Sequence, residues 1–299
     1  MDKVSATRFS LILWGHILNP LFPGHRERRY KAYDRILTAY MKENWLKSAD
    51  RIMPREVDRN GDEKIFTIWF QGEENAPDIV KSCFKSIREH CPEELVVLDS
   101  NSLWDWISLP EEIVEKYRGG KIKHAHFADI CRVELLYRYG GYWLDSTCFV
   151  SAPVPEYIKK QDFFMFMAGK RVHGNYSYVQ NCFIRARKGS YLLEAWREMI
   201  LDYWMHEDRR VDYFMHQLMF RTLVTYNPTA AYYFAKMPGV DQYPTHLYLY
   251  EFENKPYEPG IFEKAAQEGF FYQKTRYKGT ENPVPGSFME YLVNYWKNA

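Results

Sequence analysis

The chain has 299 residues, of which 40 are basic and 39 acidic, so its formal net charge is close to zero. A strongly basic nucleic-acid-binding face is therefore not expected, and no nucleic-acid partner is predicted. The length allows one large domain or two small ones, and a hydrophobic content of 46% is enough for a sizeable core.

Cysteine usage and hydropathy indicate the cellular compartment of the protein. The apolar stretch at residues 9–22 is too short to cross a bilayer as a helix, which takes about 20 apolar residues. We expect it to pack on the rest of the chain, and a peripheral position at the inner face of a membrane is the alternative. An odd number of cysteines without a C-x-x-C spacing indicates reduced, buried thiols in a cytoplasmic protein. The cysteines are Cys83, Cys91, Cys131, Cys148 and Cys182.

Residues 1–60 are predicted to form a helical N-terminal extension, and residues 61–299 a larger domain. Apolar residues recur at helical spacing between residues 30 and 50 while the other faces are charged, which indicates an amphipathic helix. The turn-rich sequence MPREVDRNGD, at residues 53–62, is typical of a connector.

The larger domain begins with a strand–helix–strand pattern. Residues 64–70 form an apolar strand, residues 76–90 an amphipathic helix and residues 95–98 a second strand. This order indicates an α/β fold with a parallel sheet, in which ligands bind beyond the carboxyl ends of the strands. Trp69 and Asp99 lie at such ends, so we expect them to meet at one cleft.

The stretch HAHFADICRVELLYRYGGYWLDSTCF, residues 124–149, predicts a helix, a glycine turn and a strand. The helix spans residues 125–139, which lack Gly and Pro and place apolar residues at helical spacing. The double glycine that follows ends it, because glycine tolerates a positive φ. A short buried strand at residues 142–144 then ends at Asp145, which is therefore expected at the same cleft.

Two pairs of charged residues lie on this helix. Asp129 and Arg132 are three residues apart and share a helix face. Their spacing fits both a structural and a functional ion pair, and periodicity alone leaves that choice open. Glu134 and Arg138 form a separate i, i+4 pair on another face, which we interpret as a solvated surface pair.

The remaining sequence predicts further strands, helices and a closing lobe. The strand pattern at residues 178–185 is interrupted by Gln180 and Asn181, whose amides need hydrogen-bond partners if they are buried. A helix capped by Asp212 is expected to carry His216, and a lone helical histidine is most often structural. The other predicted elements are a strand at 163–168, a loop at 171–176, helices at 190–204, 212–224 and 286–297, and strands at 243–250 and 270–277.

A fixed order of helix, double glycine, strand and aspartate is carried by Ala128, Asp129, Arg132, Leu135, Leu136 and the run Tyr139-Gly140-Gly141-Tyr142-Trp143-Leu144-Asp145. This combination resembles the sugar-nucleotide glycosyltransferases with an Asp-x-Asp motif. That group includes initiating α-mannosyltransferases of yeast, glucosylating bacterial toxins and bacterial capsular polysaccharide synthesis proteins. The capsular type is the closest variant, because its motif usually ends W-L-D-S/A-T. The resemblance is clear from about residue 64 to about residue 189.

The resemblance implies a GT-A-like, Rossmann-like fold for residues 61–299. It also implies transfer of a sugar, with retention, from a UDP- or GDP-sugar donor to a saccharide or lipid-linked acceptor in capsule or exopolysaccharide synthesis. A non-catalytic relative that binds a sugar or nucleotide is the alternative. An unrelated α/β enzyme such as a nucleotidyltransferase would need a Gly-rich phosphate loop, and the sequence contains neither G-x-G-x-x-G nor a P-loop.

The resemblance also implies roles for individual residues. Trp69 would stack on the donor base, and polar side chains would hold the sugar hydroxyls. An amide at 180 or 181 would face the donor sugar, and hydrogen bonds to neighbouring backbone are the alternative for both. The residues assigned in this way to catalysis are Asp129, Arg132, Asp145 and Asn181, and those assigned to donor binding are Trp69, Gln71, Gln180 and Lys274.

A divalent cation, Mn²⁺ or Mg²⁺, is implied at Asp145, which would also contact the ribose. Thr147 stands where the pattern has its second acid, normally the direct metal ligand, and such cations prefer carboxylate oxygens. A cation at Asp145 and Thr147 would therefore depend on the donor diphosphate for its ligands. Basic residues such as Lys274 are the alternative source of positive charge, and His216 would face the acceptor.

Overall fold

The fold is described from a computed structural model in which residues 3–13, 25–169 and 178–297 are placed, with side chains in the second range from residue 34 onward. The loop predicted at 171–176 lies outside these residues. The N-terminal part is helical, as predicted, and its second and third helices pack on the later helices α10 and α9. These N-terminal helices are α1 (Lys3–Ile12), α2 (His25–Asn44) and α3 (Leu46–Ala49), and an irregular connector follows them.

A mixed five-stranded sheet forms the centre, with strand order β2-β1-β3-β6-β5. Strand β1 runs parallel to β2 and β3, as predicted, whereas β6 is antiparallel to both β3 and β5. Residues 168–178 are too few for a parallel crossover, which takes a dozen or more. The strands are β1 (Ile65–Ile68), β2 (Leu95–Leu98), β3 (Gly141–Leu144), β5 (Phe163–Met167) and β6 (Val179–Ala186).

Helices cover this mixed α/β sheet, an arrangement compatible with a Rossmann-like fold. Two short strands, β4 (Cys148–Val150) and β7 (Tyr272–Lys274), form a second antiparallel sheet in which Cys148 lies opposite Lys274. The remaining helices are α4 (Asp78–His90), α5 (Leu103–Trp106), α6 (Glu111–Arg118), α7 (His124–Tyr139), α8 (Glu156–Lys159), α9 (Tyr191–His206), α10 (Met215–Tyr226), α11 (Pro228–Phe234), α12 (Ile261–Gln267) and α13 (Phe288–Asn294).

The double glycine between α7 and β3 takes the predicted conformation. Gly140 and Gly141 have φ angles of 70° and 94°. A Cβ atom on Gly141 would lie 2.4 Å from the Lys64 carbonyl oxygen, so a larger residue would push β3 away from the chain leading into β1. This turn therefore fixes how closely the end of α7 approaches the sheet.

Glu134 and Arg138 differ from their prediction. The Glu134 side chain is 0% exposed, with Oε1 accepting from Arg138 Nε at 2.6 Å and Oε2 from Arg197 Nε at 2.5 Å. The interpretation as a solvated surface pair is wrong, because α9 packs over this face of α7 and supplies Arg197.

Two other elements also differ from their predictions. The strand predicted at 243–250 is wrong: Tyr243–His246 is a 3₁₀-helix and Tyr248–Phe252 a π-helix, and Pro244 in the first turn suits a helical start. Helix α10 begins at Met215 rather than 212, since the Asp212 carboxylate accepts from the Phe214 N–H instead of capping the helix.

All five cysteines are free and buried, as predicted. No helix in the placed residues is long and apolar enough to cross a membrane.

Candidate functional site

A cavity of about 550 Å³ opens where β1 and β3 end, within the range of about 300–1,000 Å³ that is usual for small-molecule sites. Residues following both strands line it, including Trp69 and Asp145, together with residues in the N-terminal part of α7 and residues 274–278, which begin with the last residue of β7. The expectation that Asp99 lies at this cleft is wrong: Asp99 does not line the cavity, and its Oδ1 accepts the backbone N–H groups of Asn101 and Ser102 instead.

Arg132 lies at the centre of the polar wall and is only 6% exposed. One terminal nitrogen lies 3.1 Å from Asp129 Oδ1 and 3.2 Å from Asp145 Oδ1, and the other donates to the Asn181 carbonyl oxygen at 2.5 Å. Its guanidinium carbon lies 4.9 Å from the centre of the Trp143 ring. Burial opposes its charge, but the two carboxylates outweigh burial and raise the pKa of Arg132.

Asp129 is surrounded by polar partners. Its Oδ1 also accepts from Asn181 Nδ2 at 2.9 Å, and its Oδ2 lies 3.0 Å from His216 Nδ1 and 3.6 Å from His126 Nδ1. Burial opposes ionisation of this carboxyl group, but Arg132 and the histidines outweigh burial and hold its pKa well below the usual range. Asp129 is therefore ionised at neutral pH.

The proton on His216 can be assigned from its neighbours. The Trp204 indole, which can only donate, contacts His216 Nε2 at 3.1 Å, so Nε2 must accept. Burial lowers the pKa of His216 despite the charge of Asp129. The ring is therefore neutral at neutral pH and carries its hydrogen on Nδ1, facing Asp129. His216 itself does not line the cavity.

His126, Asp129 and His216 bring ligand atoms within 4.8 Å of one another, which is a spacing that a metal ion can use. A bound metal would need the Nδ1 lone pairs, with hydrogens on both Nε2 atoms. The Nε2 atoms instead face donors, since Arg210 contacts that of His126 at 3.1 Å and Trp204 that of His216. This cluster therefore does not fit a metal ion.

The Lys274 ammonium group lies beside Asp145 and Thr147, where the sequence predicts a divalent metal ion. It donates to Thr147 Oγ1 and, at 3.2 Å, to the Thr275 carbonyl oxygen, and Nζ lies 3.8 Å from Asp145 Oδ2. Burial opposes its charge, but Asp145 outweighs burial and raises the pKa of Lys274. The Oδ1 atom of Asp145 accepts from Trp143 Nε1 at 2.9 Å. The oxygens predicted as metal ligands thus face an ammonium group.

The other residues predicted for the site lie at different depths. Trp69 is half-buried at the wall and packs edge-to-face on Tyr277, with ring centres 5.2 Å apart, while Gln71 is exposed at the rim. Asn181 lines the cavity and bonds to side chains, not to neighbouring backbone, since its Oδ1 accepts from Gln217 Nε2 at 3.1 Å. Gln180 does not line the cavity.

Sequence reasoning missed several residues of this site. Trp143 stands two residues before Asp145 and His126 three before Asp129, so strand and helix periodicity could have placed each beside its partner. No local signal marked Gln217 or Tyr277, because they reach the cavity only through tertiary packing.

Comparison with known proteins gives one family. The family model described as capsular polysaccharide synthesis protein matches residues 20–292, well over half of the chain and including every residue of the cavity wall. A search of curated proteins found no match. The chain therefore belongs to the capsular polysaccharide synthesis protein family.

Proposed function

We propose that this protein is a glycosyltransferase that moves a sugar from a UDP- or GDP-sugar to a saccharide or lipid-linked acceptor during capsule synthesis. Family membership supports a biosynthetic role. The observation that carries the proposal is that one cavity combines an aromatic wall, two carboxylates bridged by a guanidinium group, and a lysine.

The aromatic end suits a nucleoside base. Trp69 and Tyr277 pack edge-to-face, with ring planes at 85°, so Tyr277 supports the indole while the indole offers a stacking surface. Stacking of a base on an aromatic side chain contributes about 1–3 kcal/mol. We therefore place the base of the donor against Trp69, with Gln71 at the rim beside it.

The basic end suits the diphosphate. Lys274 at the end of β7 and Lys278 on the segment that follows both line the cavity. The diphosphate gains negative charge as its bond to the sugar breaks, and fixed positive groups stabilise that charge. In this scheme, Lys274 and Lys278 bind the departing nucleoside diphosphate.

The sugar then lies against Asp129, Arg132 and Asn181. Their mutual bonds fix these side chains before a ligand arrives, which lowers the cost of ordering them. The acceptor hydroxyl oxygen bonds to the anomeric carbon as the bond to the diphosphate breaks, and its proton passes to the leaving phosphate. Among the placed cavity-wall residues the carboxylates are Asp129 and Asp145, and Arg132 contacts both, which favours this same-face route over a covalent carboxylate intermediate.

A thermal-shift screen of UDP- and GDP-sugars tests the proposal. Donor at about 100 times its Kd should stabilise the fold by about 2.7 kcal/mol, which corresponds to a shift of several degrees. Trp69→Ala should lose most of this shift, whereas Tyr232→Ala, an exposed aromatic residue that does not line the cavity, should keep it. The absence of a shift with every nucleotide sugar, or an equal shift in Trp69→Ala, would contradict the proposal.

A further inference from the structure

We propose that the Lys274 ammonium group takes the place of a divalent cation at the diphosphate end of the cavity, so that this protein binds a nucleoside diphosphate without metal. The inference rests on the proposed function and names the group that neutralises the diphosphate. It concerns the residues that the sequence assigns to Mn²⁺ or Mg²⁺, namely Asp145 and Thr147.

Strand pairing and the hydrogen bonds of the next residue fix the position of Lys274. It ends β7, opposite Cys148 of β4, and the next residue, Thr275, donates both its backbone N–H and its hydroxyl to the Thr147 carbonyl oxygen, at 2.7 and 2.9 Å. The β4–β7 pairing therefore holds the lysine beside Thr147 before any ligand binds.

The donor count leaves room for a ligand. An ammonium group has three N–H donors. Thr147 Oγ1 and the Thr275 carbonyl oxygen take two of them, and Asp145 Oδ2, at 3.8 Å, is beyond hydrogen-bond distance. One N–H of Lys274 thus remains for a phosphate oxygen, in a group that lines the cavity.

The same atoms are poorly suited to a divalent cation. Asp145 Oδ1 already accepts from Trp143 and lies beside Arg132, and Thr147 Oγ1 accepts from Lys274. A cation bound to Asp145 Oδ2 would lie next to the Lys274 ammonium group in a largely buried site, where like charges repel strongly. Mg²⁺ in such sites is usually held by one or two carboxylates together with substrate phosphates, and Asp145, the one carboxylate within reach of Thr147 among the placed cavity-wall residues, has its Oδ1 and its surroundings already taken by donors.

Cationic side chains outnumber carboxylates in the cavity wall. The carboxylates of Asp129 and Asp145 are matched by Arg132 and Lys274, and Arg276 pairs with Glu253. The wall therefore has no excess of negative charge that would attract a dication. Lys278, which lines the cavity and forms no salt bridge among the placed residues, adds the further positive charge that a diphosphate requires.

Calorimetric titration of the full chain with UDP and with GDP tests the inference, first in excess EDTA and then in Mn²⁺. Wild-type affinity for the nucleotide that binds should agree within roughly twofold between the two buffers. Lys274→Met should weaken binding by about tenfold or more in both, the size expected for one charge-assisted hydrogen bond. Lys274→Asp removes the ammonium group and places a second carboxylate beside Asp145. We therefore expect this variant to bind the nucleotide only when Mn²⁺ is present. Lys264→Met, an exposed lysine of α12 outside the cavity, should bind as wild type does.

Each other outcome is decisive. Wild-type binding that requires Mn²⁺ would overturn the inference and leave the proposed function standing. Binding of neither nucleotide in either buffer would overturn the proposed function and the inference with it. Unchanged affinity in a folded Lys274→Met would also overturn the inference. If that variant fails to fold, the wild-type comparison in EDTA and Mn²⁺ still decides.

Discussion

Two arginine–carboxylate clusters lie on the same helix, α7, and they face different surroundings. In the first, Glu134 is 0% exposed and accepts from Arg138 and Arg197. In the second, Arg132 joins Asp129 and Asp145, and all three side chains line the cavity. The same residue types at nearly the same spacing thus form a closed cluster on one side of the helix and an open one on the other.

The contrast shows which feature separates a structural ion pair from a functional candidate. Both oxygens of Glu134 are taken by helical arginines, so that cluster joins α7 to α9 and offers nothing to a ligand. The Asp129 cluster instead lies where two parallel strands end, with 14% of the Asp129 side chain exposed to the cavity. Position at the strand ends, rather than pairing itself, marks the functional candidate.

Asp145→Asn should break the open cluster with the largest effect. It removes the charge shared by Arg132 and Lys274, so we expect donor turnover to fall by about 1,000-fold, or about 4 kcal/mol of barrier. Release of UDP or GDP from the donor measures this. Asp162→Asn changes a carboxylate outside the cavity and should behave as wild type. Retention of more than a tenth of wild-type turnover in Asp145→Asn would sink the assignment.

Glu134→Gln should break the closed cluster without touching the cavity. Removing one partner of a buried ion pair costs about 3–5 kcal/mol, and we expect the lower end because the Arg138 side chain is 37% exposed. Denaturant unfolding measures the loss in unfolding free energy, and nucleotide affinity of the folded variant should not change. A variant as stable as wild type would show that the closed cluster does not stabilise the fold, and a folded variant that cannot bind nucleotide would show that the two clusters are not separate.

Arginine-to-lysine changes sharpen the contrast at constant charge. A lysine at 132 cannot reach Asp129, Asp145 and the Asn181 carbonyl oxygen together, so Arg132→Lys should lower turnover at least about tenfold. Arg138→Lys is the matched change on the closed cluster and should leave turnover within roughly twofold, at a small loss of stability. The pair is compared by turnover at saturating donor and by melting temperature, and equal turnover in the two variants would remove the distinction.

The smallest expected effect is the contribution of His216, which lies beside Asp129 of the open cluster, to the pH dependence of the free energy of unfolding. The pKa of His216 is below the ordinary 6.5 because of burial, so the unfolded chain binds a proton that the folded chain does not. The free energy of unfolding is therefore unaffected by His216 above about pH 6.5, and it declines as the pH falls below that value. The lowered pKa of Asp129 acts in the same direction further down, below its ordinary 3.8. For one proton, the unfolding free energy changes by at most about 1.4 kcal/mol per pH unit.

His216→Asn tests this by urea unfolding between about pH 7.5 and pH 5.5. The slope of the unfolding free energy against pH should be smaller in this variant, because one proton fewer is taken up on unfolding. His206→Asn, at a largely exposed histidine of α9, is the control and should keep the wild-type slope. Identical slopes in all three proteins would show that His216 does not titrate on unfolding in this range.

Local sequence patterns were sufficient to predict much of the secondary structure. Helical spacing and the double glycine predicted a helix at 125–139 and a strand at 142–144, and the structure has His124–Tyr139 and Gly141–Leu144. The antiparallel placement of β6 and the burial of Glu134 depend on partners far away in sequence, such as Arg197. No window of local periodicity contains that information.

The candidate site shows the same limit. Asp145 could be placed because its strand ends in the parallel sheet, and Asp129 and Arg132 because they share a helix face. The contact between Lys274 and Thr147 spans 127 residues and exists because β4 pairs with β7. Those strands have three residues each, too short for alternation to predict their pairing.

The function proposed for the cavity is turnover of a nucleotide sugar. Its most direct test is the release of UDP or GDP from a panel of nucleotide sugars by the wild-type protein without acceptor, beside Asp145→Asn at donor concentrations that saturate both. We expect the wild type to hydrolyse at least one donor of the panel that Asp145→Asn binds but does not hydrolyse. Donors that bind both proteins, with no donor of the panel hydrolysed by the wild type, would show that the protein binds nucleotide sugars without turning them over.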